Sequence, residues 1–453
     1  MAAVTGNLPR KLSNVGGKSR SSLKNIYGDG GETIITKLNK NRAKYEFRKK
    51  PLACAYAEGK SYPKCELRES ETSVYFEFKN LRKDLPIVDE NLISIVFKND
   101  SLESNLLLLL KDCLQDGHPL LTVIKFEFCN LQAKHIEQIA ELLTVFFINV
   151  KEVSVNGNPI PEQNFYLLLK QELTSLSLKY CSINIDGMKQ ISEELYKPYV
   201  NPLLHLNLAT NALYDESLYY VARILRMNRK LKSLNLADNK ITERGIRLLL
   251  EPLQKFELNE DELIERRKIR FEYHKKMIDV YCATKSDQSD LSITCSARKI
   301  RSRRRNKFFE RRIHHKVGHR PSVPSYEQEN NLTSRTSIPE LPHHPALQDS
   351  VEESTSIFCY GNNILTNLNL SYNKIRQEAL PLILQMISYQ NDLYSGKPEP
   401  AHIGITRLSL QGNRLSETDI IEVETALSRK YQLTTGSIDT MTVSPTYVIH
   451  KKK

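Results

Sequence analysis

The 453-residue sequence lacks the signals of several large protein classes. No apolar run at its N-terminus resembles a secretory signal peptide, and no stretch reaches the roughly 18 apolar residues that a membrane-spanning helix needs. Its eight cysteines form no CxxC pair, and their scatter indicates free thiols in a reducing compartment. We therefore expect no secretion, no membrane span, no disulfide framework and no structural zinc site.

Motifs that carry catalysis are absent as well. The sequence contains no GxxxxGKS or GxxxxGKT phosphate loop, no GxSxG nucleophile elbow and no HExxH metal motif. Two histidine pairs, His314 with His315 and His343 with His344, lie in a charge-rich segment where solvated side chains are expected. The sequence thus predicts a protein that is not an enzyme and that holds neither a metal nor a cofactor.

Charge is distributed unevenly along the chain, whose formal net charge is +12. Residues 1–50, residues 298–320 and the last three residues carry +9, +10 and +3, so the remainder carries −10. The two longer basic segments lack the apolar content that offsets the entropy of ordering, which predicts disorder. The basic character therefore belongs to appendages, and it suggests an acidic partner for them.

A repeated pattern decides the fold prediction. The motif L-x-x-L-x-L-x-x-N/C-x-L occurs in seven good copies and one degenerate copy, as in Leu203, Leu206, Leu208, Asn211 and Leu213. Its L-x-L core is typical of a short strand with apolar side chains on one face. We expect the ninth residue of each copy, called the ladder residue below, to bond the backbone of the adjacent repeat. The ladder residues are Asp100, Cys129, Asn158, Cys181, Asn211, Asn239, Asn373 and Asn413. For the two cysteines this is a structural role rather than a redox role.

Helical periodicity follows each motif. Apolar residues recur 7, 10, 11 and 14 positions after the ladder residue, as in Leu218, Val221, Ala222 and Leu225. Copies are mostly 28 to 30 residues apart, but the third and fourth are only 23 apart, which predicts a truncated helix between them. We predict an α/β fold, a leucine-rich-repeat solenoid or horseshoe with parallel strands on the concave face and helices on the convex face.

A long insertion separates the sixth and seventh copies, which are 134 residues apart. It begins with a charged segment in which Ile269, Tyr273 and Met277 recur every four residues, which predicts a helix. The flanking strands should still pair, because each repeat sets its own register. The predicted organisation is a basic, largely disordered N-terminal arm (1–72), the first part of the solenoid (73–258), a charged helix (259–284), a basic, Ser/Pro-rich disordered insertion (285–357), the C-terminal repeats (358–432) and a tail (433–453).

The insertion holds a basic run with two adjacent aromatic residues, Phe308 and Phe309. Such a run is typical of a nuclear localisation signal or a polyanion-binding motif, and equally of a solvated linker. The candidate anions are nucleic acid, an acidic membrane and the acidic tails of tubulin in a microtubule, and the sequence does not choose among them. The predicted polyanion-binding residues are Arg303, Arg304, Arg305, Arg311 and Arg312.

The outward positions of the strands describe the predicted concave face. They carry three positive and three negative residues in the seven good copies, so that face is neutral and polar with three aromatic residues. Aromatic residues are enriched at binding hot spots, although ordinary exposed sheets carry them too. We predict a protein partner at this face, with contacts from Phe128, Tyr180, Asp238, Tyr372 and Arg407.

The chain resembles two groups of known proteins. Its repeats over residues 92–432 resemble the ribonuclease-inhibitor-like superfamily. The segments SVYFEFKNL (73–81), SLNLADNKITERGIRLL (233–249), FELNEDELIERRKIRFE (256–272) and NLNLSYNKI (367–375) are similar to the leucine-rich repeat-containing protein 71 family. That resemblance implies a non-catalytic, cytoplasmic interaction protein of ciliated or flagellated cells, at the axoneme.

Two other functions stay open beside this non-catalytic scaffold. The basic insertion is compatible with a nuclear or RNA-associated adaptor that binds a polyanion. A GTPase-activating protein of the leucine-rich-repeat type is the other alternative, because Arg376 and Arg414 follow strands at loop positions. Arginines at such positions are usually solvated, so the scaffold is the leading interpretation.

Overall fold

Two units make up the described part of the chain. The computed structural model describes residues 52–57, 60–61, 74–80, 92–99, 101, 107, 110–111, 120–197, 201–286, 340–393 and 404–434. One unit consists of Met1–Leu258 with His343–Lys453, and the other consists of Asn259–Pro342. The three basic segments predicted as appendages, residues 1–50, 298–320 and 451–453, lie outside the described residues.

Short strands build the first unit. In chain order they are β1 (Leu52–Ala57), β2 (Lys60–Ser61), β3 (Val74–Asn80), β4 (Leu92–Lys98), β5 (Val123–Glu127), β6 (Glu152–Ser154), β7 (Ser175–Ser177), β8 (His205–Asn207), β9 (Ser233–Asn235), β10 (Phe256–Glu257), β11 (Ser350–Glu353), β12 (Ser356–Cys359), β13 (Asn367–Asn369) and β14 (Arg407–Ser409). Eleven of them form one sheet in the order β14-β13-β9-β8-β7-β6-β5-β4-β3-β1-β2. Neighbours from β4 to β14 are all parallel, and β9 pairs directly with β13 across the insertion, as predicted.

The register of the parallel strands follows the repeat motif. The fourth position of each copy lies opposite the fourth position of the next, and each of these side chains is buried. They are Ile95, Ile124, Val153, Leu176, Leu206, Leu234, Leu368 and Leu408. Burying one such side chain contributes roughly 1.5–3 kcal/mol relative to leaving it in water. The predicted α/β leucine-rich-repeat solenoid is therefore confirmed.

Buried asparagine side chains join successive turns, as predicted. Asn211 Oδ1 accepts hydrogen bonds from the N–H groups of Cys181 and Ile183 at 2.9 and 3.2 Å. Its Nδ2 donates to the carbonyls of Leu178 and Leu208 at 2.9 Å each. The same arrangement recurs at Asn158, Asn239, Asn373 and Asn413. These amides satisfy backbone groups that would otherwise be buried without partners.

Helices return the chain from one strand to the next. The α-helices are α1 (Ala133–Val145), α2 (Ile185–Tyr196), α3 (Asp215–Met227), α4 (Glu243–Leu250), α5 (Glu260–Ser286), α6 (Pro345–Gln348), α7 (Leu380–Asp392) and α8 (Glu417–Thr434). Short 3₁₀ helices occupy Glu251–Leu253 and Gln377–Ala379. After β6 the chain forms only a 3₁₀ helix, Asn164–Lys170, which confirms the truncation predicted from the 23-residue spacing.

The end of the insertion is ordered, unlike the disorder predicted for residues 285–357. Helix α6 leads into the hairpin of β11 and β12, and β12 pairs antiparallel with β10. We call this module of β10, α6, β11 and β12 the clasp. His344, expected to be solvated, is buried here, and its Nδ1 accepts the N–H of Ala346 at the start of α6. The local sequence is polar, but pairing with β10 supplies the hydrogen bonds that order it.

A buried arginine fastens the clasp to the end of α3. The Nε of Arg229 lies 3.2 Å from Oδ2 of Asp349, and its Nη2 lies 3.4 Å from the carbonyl of Tyr360 and 3.8 Å from Sγ of Cys359. Its Nη1 donates to the carbonyl of Leu225 at 3.1 Å. Because the guanidinium is buried, these bonds replace the water that it loses.

The sheet extends beyond the first repeat into the predicted N-terminal arm (1–72). β1 pairs parallel with β3, and β3 pairs antiparallel with β4. Within the predicted, largely disordered arm, the described residues form β1 and β2, and the rest of the arm lies outside the described residues. These strands form because the edge of a repeat sheet offers unpaired backbone groups, which a strand outside the repeat can satisfy.

The second unit contains α5, in the segment where a charged helix is predicted. A reciprocal cap begins this helix. Oδ1 of Asn259 accepts the N–H of Glu262 at 2.9 Å, and the N–H of Asn259 donates to Oε2 of Glu262 at 3.0 Å. Within the described ranges, no helix combines the length and the apolar character needed to cross a bilayer.

Candidate protein-binding surface

A row of residues with left-handed backbone marks the carboxyl ends of the parallel strands. In every copy the residue before the ladder residue has φ between +52° and +72°. We call this set the αL row; its members are Asn99, Phe128, Gly157, Tyr180, Thr210, Asp238, Tyr372 and Gly412. The conformation turns the chain from the strand into the ladder. Residues other than glycine adopt it at a cost on the order of 1–3 kcal/mol, so bulky aromatics at three of these positions are unusual.

Two aromatic residues of the row surround a glycine. The ring centroids of Phe128 and Tyr180 are 6.1 Å apart, and Gly157 belongs to the copy between them. A Cβ atom added to Gly157 would lie 2.3 Å from Cδ1 of Phe128. Only glycine therefore allows the phenyl ring to rest on the backbone of the next repeat.

Tyr372 repeats this arrangement near the C-terminal end of the sheet. A Cβ atom added to Gly412 would lie 2.4 Å from Cδ1 of Tyr372. The three aromatic side chains remain 52% (Phe128), 55% (Tyr180) and 65% (Tyr372) exposed. Two of these rings are thus seated on a neighbouring repeat while one face stays open to a partner.

A groove of about 730 Å³ adjoins the αL row. Its lining includes Tyr180, Tyr214, Asp238 and Lys240, and Nζ of Lys240 lies 2.8 Å from the hydroxyl of Tyr214. This hydrogen bond and the lysine charge lower the pKa of the Tyr214 phenol. The groove therefore offers aromatic surface, a cation and a carboxylate side by side.

The structure separates Arg407 from the other predicted contacts. Arg407 opens β14 and pairs with Asn367, so it stands at the amino end of its strand. Phe128, Tyr180, Asp238 and Tyr372 all follow the carboxyl ends, in the αL row. The five predicted residues thus form one row of four and one separate exposed arginine. The predicted polyanion-binding residues, Arg303, Arg304, Arg305, Arg311 and Arg312, lie outside the described residues.

Four cations in the ladder turns form a feature that the strand pattern did not single out. They stand one or three positions after a ladder residue, and only the last three copies carry them. They are Lys240, Lys374, Arg376 and Arg414. Arg376 and Arg414, the residues considered for GTPase activation, pair with each other in an isolated parallel bridge, and both are exposed. These cations can be found in the sequence by inspecting the positions one and three residues after each ladder residue.

The ladder cysteines are built into the backbone network. The N–H of Cys129 donates to Oδ1 of Asn158 at 2.9 Å, and Sγ of Cys181 lies 3.2 Å from the carbonyl of Val155. Burial raises the pKa of the Cys181 thiol to about 12. Because the thiolate is the reactive form, this residue is inert near neutral pH.

Known proteins share parts of this chain. A Leucine Rich repeat family model matches residues 228–250. Tonsoku-like protein of Danio rerio is 31% identical over 178 residues, ribonuclease inhibitor of Mus musculus is 28% identical over 180, and NACHT, LRR and PYD domains-containing protein 13 of Homo sapiens is 28% identical over 164. These matches cover 37%, 32% and 35% of this chain, and 12%, 39% and 15% of the relatives. The chain thus spans less than half the length of each.

One solved structure aligns with part of the chain. Leiomodin-1 Actin-Binding Site 2 aligns over 66% of this chain and 90% of its own, with 11% identity and a TM-score of 0.28. A TM-score this low does not establish a shared fold. The repeat motif, the strand register and the family model together identify the architecture.

Proposed function

Because the chain is a leucine-rich-repeat protein, we propose that it acts as a non-catalytic scaffold that binds a protein partner through the αL row and its groove. The observation that carries the proposal is the exposure of Phe128, Tyr180 and Tyr372. Each is more than half exposed, although each occupies a backbone conformation that disfavours it. Strained positions persist where the surrounding structure holds them, and they concentrate at functional sites.

Pre-organisation makes these rings suitable for binding. The rings of Phe128 and Tyr372 already rest on a neighbouring glycine, so each loses little conformational freedom when a partner covers it. Tyrosine is also enriched among the residues that dominate binding energy. The groove mixes the acids Glu216 and Asp238 with Lys240 and aromatic residues, which suits a protein surface rather than a strongly charged polymer.

Alanine substitution in the αL row tests this proposal. The double variant Phe128→Ala/Tyr180→Ala should lose partners that the wild-type chain retains from a ciliated-cell extract, measured by quantitative mass spectrometry. Tyr219→Ala is the matched control, because Tyr219 is an exposed aromatic residue on α3, away from the row. The proposal is wrong if both variants retain the same proteins as the wild type.

We also propose that the scaffold works in the cytoplasm, at the ciliary axoneme, with its basic segments on an anionic surface such as the microtubule. The support is the resemblance of residues 256–272 and of the repeats to the leucine-rich repeat-containing protein 71 family. Imaging a tagged chain in ciliated cells tests the location. An axonemal signal is expected. A nuclear signal that disappears when residues 298–320 are deleted would favour the polyanion-binding adaptor instead.

A further inference from the structure

Helix α5 presents an exposed apolar stripe that the four-residue pattern does not include. Ile264, Phe271 and Ile278 recur every seven residues and are 60%, 71% and 61% exposed. Seven residues are close to two helical turns, so the three side chains project from one face over about 21 Å. A coiled-coil seam has two apolar positions in every seven residues, whereas this stripe has one, so it forms a single narrow row along the helix.

Cations border this stripe on both sides. Between the members of the stripe, the helical positions nearest to it, within about 60° of rotation, come three and four residues after Ile264 and after Phe271. They hold Arg267, Lys268, His274 and Lys275, all of them exposed. The equivalent positions before Ile264 hold the exposed acids Glu260 and Asp261. The acids Glu265, Glu272 and Asp279 come one residue after each member, about 100° away. The border is therefore basic between Ile264 and Ile278, where Arg267, Lys268 and Lys275 lie, and acidic before Ile264.

The bordering cations are available to a partner. None of the ion pairs among the described residues involves Arg267, Lys268 or Lys275. The His274 ring contacts the neighbouring Tyr273 ring at 5.7 Å between centroids, and both belong to α5. Apolar anchors and unpaired cations thus share one exposed face.

We propose that α5 binds an acidic amphipathic helix of a partner protein. Ile264, Phe271 and Ile278 fill the seam between the two helices, and glutamate or aspartate side chains of the partner lie against Arg267, Lys268 and Lys275. This surface belongs to the second unit, so the proposal goes beyond the αL row and does not depend on it.

The charges and width of the stripe on α5 favour an acidic helix over a second copy of α5 and over a membrane surface. A second copy of α5 would place cations against cations, which disfavours pairing. A helix that lies in a membrane surface presents a wide apolar face. Here the apolar stripe is one residue wide, and charged residues border it directly. A narrow row flanked by cations between Ile264 and Ile278 fits a helix that carries the opposite sign.

Designed helical peptides test the proposal with the full chain. The probe is a fluorescent peptide with leucine at the seam positions and glutamate on both flanks, and its counterpart carries lysine in place of glutamate. Repulsion between glutamates keeps the probe from pairing with itself. We expect the wild-type chain to bind the glutamate peptide and not the lysine peptide, with affinity that falls as salt is added.

Two variants separate the contributions of the seam and the charges. Phe271→Ala should weaken binding of the glutamate peptide roughly tenfold, as expected for a central apolar anchor. Lys268→Glu/Lys275→Glu should reverse the preference, so that the lysine peptide binds and the glutamate peptide does not. The reversal is decisive because the basic segments elsewhere in the chain are unchanged in this variant. Circular dichroism should show that each variant keeps the helix content of the wild type.

Other outcomes would overturn the proposal. If the wild type and both variants bound the glutamate peptide equally, the acidic peptide would contact another part of the chain. If the wild type did not bind the peptide, the proposed binding surface on α5 would be wrong. Sedimentation with phosphatidylserine vesicles that is lost in Phe271→Ala would assign the face to a membrane. A wild-type dimer that Phe271→Ala converts to a monomer would assign it to a second copy.

Discussion

In five of the turns, one asparagine side chain connects two repeats. The Asn211 side chain makes two hydrogen bonds to N–H groups of the preceding turn and donates to carbonyls of two successive strands. The Asn211 side chain is buried, being only 4% exposed, so these hydrogen bonds lie within the protein. The amide therefore links the turns of adjacent repeats by hydrogen bonds, as backbone pairing links their strands.

We expect Asn211→Ala to lower the free energy of unfolding by about 3 kcal/mol, because it leaves several buried backbone groups without partners. Urea unfolding followed by circular dichroism measures the loss. Glu137→Ala, on the exposed face of α1, is the control and should change stability by less than about 0.5 kcal/mol. A loss below about 1 kcal/mol for Asn211→Ala would mean that water replaces the amide.

The buried thiol of Cys181 makes the stability of the fold depend on pH. Its pKa rises from 9.0 to about 12 on burial, so between these values the unfolded thiol loses its proton while the folded thiol keeps it. Its contribution to stability is thus complete below pH 9 and is lost as the pH rises towards 12. At pH 9 we expect Cys181 to be alkylated rapidly in urea and only slowly in the folded chain, as measured by peptide mass spectrometry. Rapid alkylation of the folded chain would contradict the burial.

The ladder residues are predictable from sequence spacing, but a second set of buried amides is not. Asparagine or cysteine recurs at the ninth position of the motif, so the first ladder is visible in the sequence. At the opposite edge of the strands, a second set of buried amides bonds the backbone of neighbouring repeats. Its members are Asn201, Asn228, Asn362 and Gln390. They precede the first apolar residue of the next copy by 2, 3, 3 and 15 residues, so no fixed spacing reveals them.

The αL row is predictable only in part. The outward positions of the strands follow from the motif, and they include Phe128, Tyr180, Asp238 and Tyr372. Their left-handed backbone does not follow from those residues, because aromatic side chains disfavour it. The hints in the sequence are Gly157 and Gly412, together with Asn99 and Asp238, at the same position of other copies. The contacts of the rings with these glycines come from the stacking of repeats, which a single motif does not encode.

At the scale of elements, the parts that follow the repeat period were predictable and the clasp was not. The clasp forms from β10, at the end of one repeat, and from residues more than 80 positions later. Neither part has the length or alternation of a strand that is stable alone. Pairing between them, and the buried Arg229 beneath them, supply the order that local sequence lacks.

Arg229→Ala should loosen the clasp while the repeats stay folded. The substitution removes the guanidinium that bonds Asp349 and the carbonyl of Tyr360. We expect faster hydrogen exchange at the amides of Leu258 and Tyr360, whose bonds to Ile357 and Asp349 close the clasp. Arg244→Ala, at an exposed position of α4, is the control and should leave exchange at both amides unchanged. Unchanged exchange in Arg229→Ala would show that strand pairing alone holds the clasp.

At the scale of the molecule, the repeats before and after the insertion stack directly on each other and form one solenoid. Asn373 accepts the N–H of Ile241 at 3.2 Å and donates to the carbonyl of Leu236 at 3.0 Å, although 132 and 137 residues separate them. In a repeat protein each copy is stabilised by its neighbours, so this junction ties the last two copies to the first six.

Leu236→Asp should therefore unfold the solenoid. Leu236 is fully buried beside this junction, and an unpaired carboxylate there costs several kcal/mol. Thermal melting followed by circular dichroism should lose its cooperative transition. Lys232→Asp, at an exposed position just before β9, should keep the cooperative transition. A normal transition in Leu236→Asp would mean that the repeats tolerate charge at their core positions.

The clasp also determines how the segment between β10 and α6 affects the stability of the repeats. It holds the N–H of Leu258 2.8 Å from the carbonyl of Ile357, so the departing and returning segments are joined at one place. Once two ends are held together, the closure entropy of the intervening chain grows only with the logarithm of its length, by about 0.6 kcal/mol for each doubling. We therefore expect changes in the length of the stretch Asn259–Pro342 to alter the free energy of unfolding little. The joint is a natural acceptor site for new modules, and the repeats on either side would keep their register.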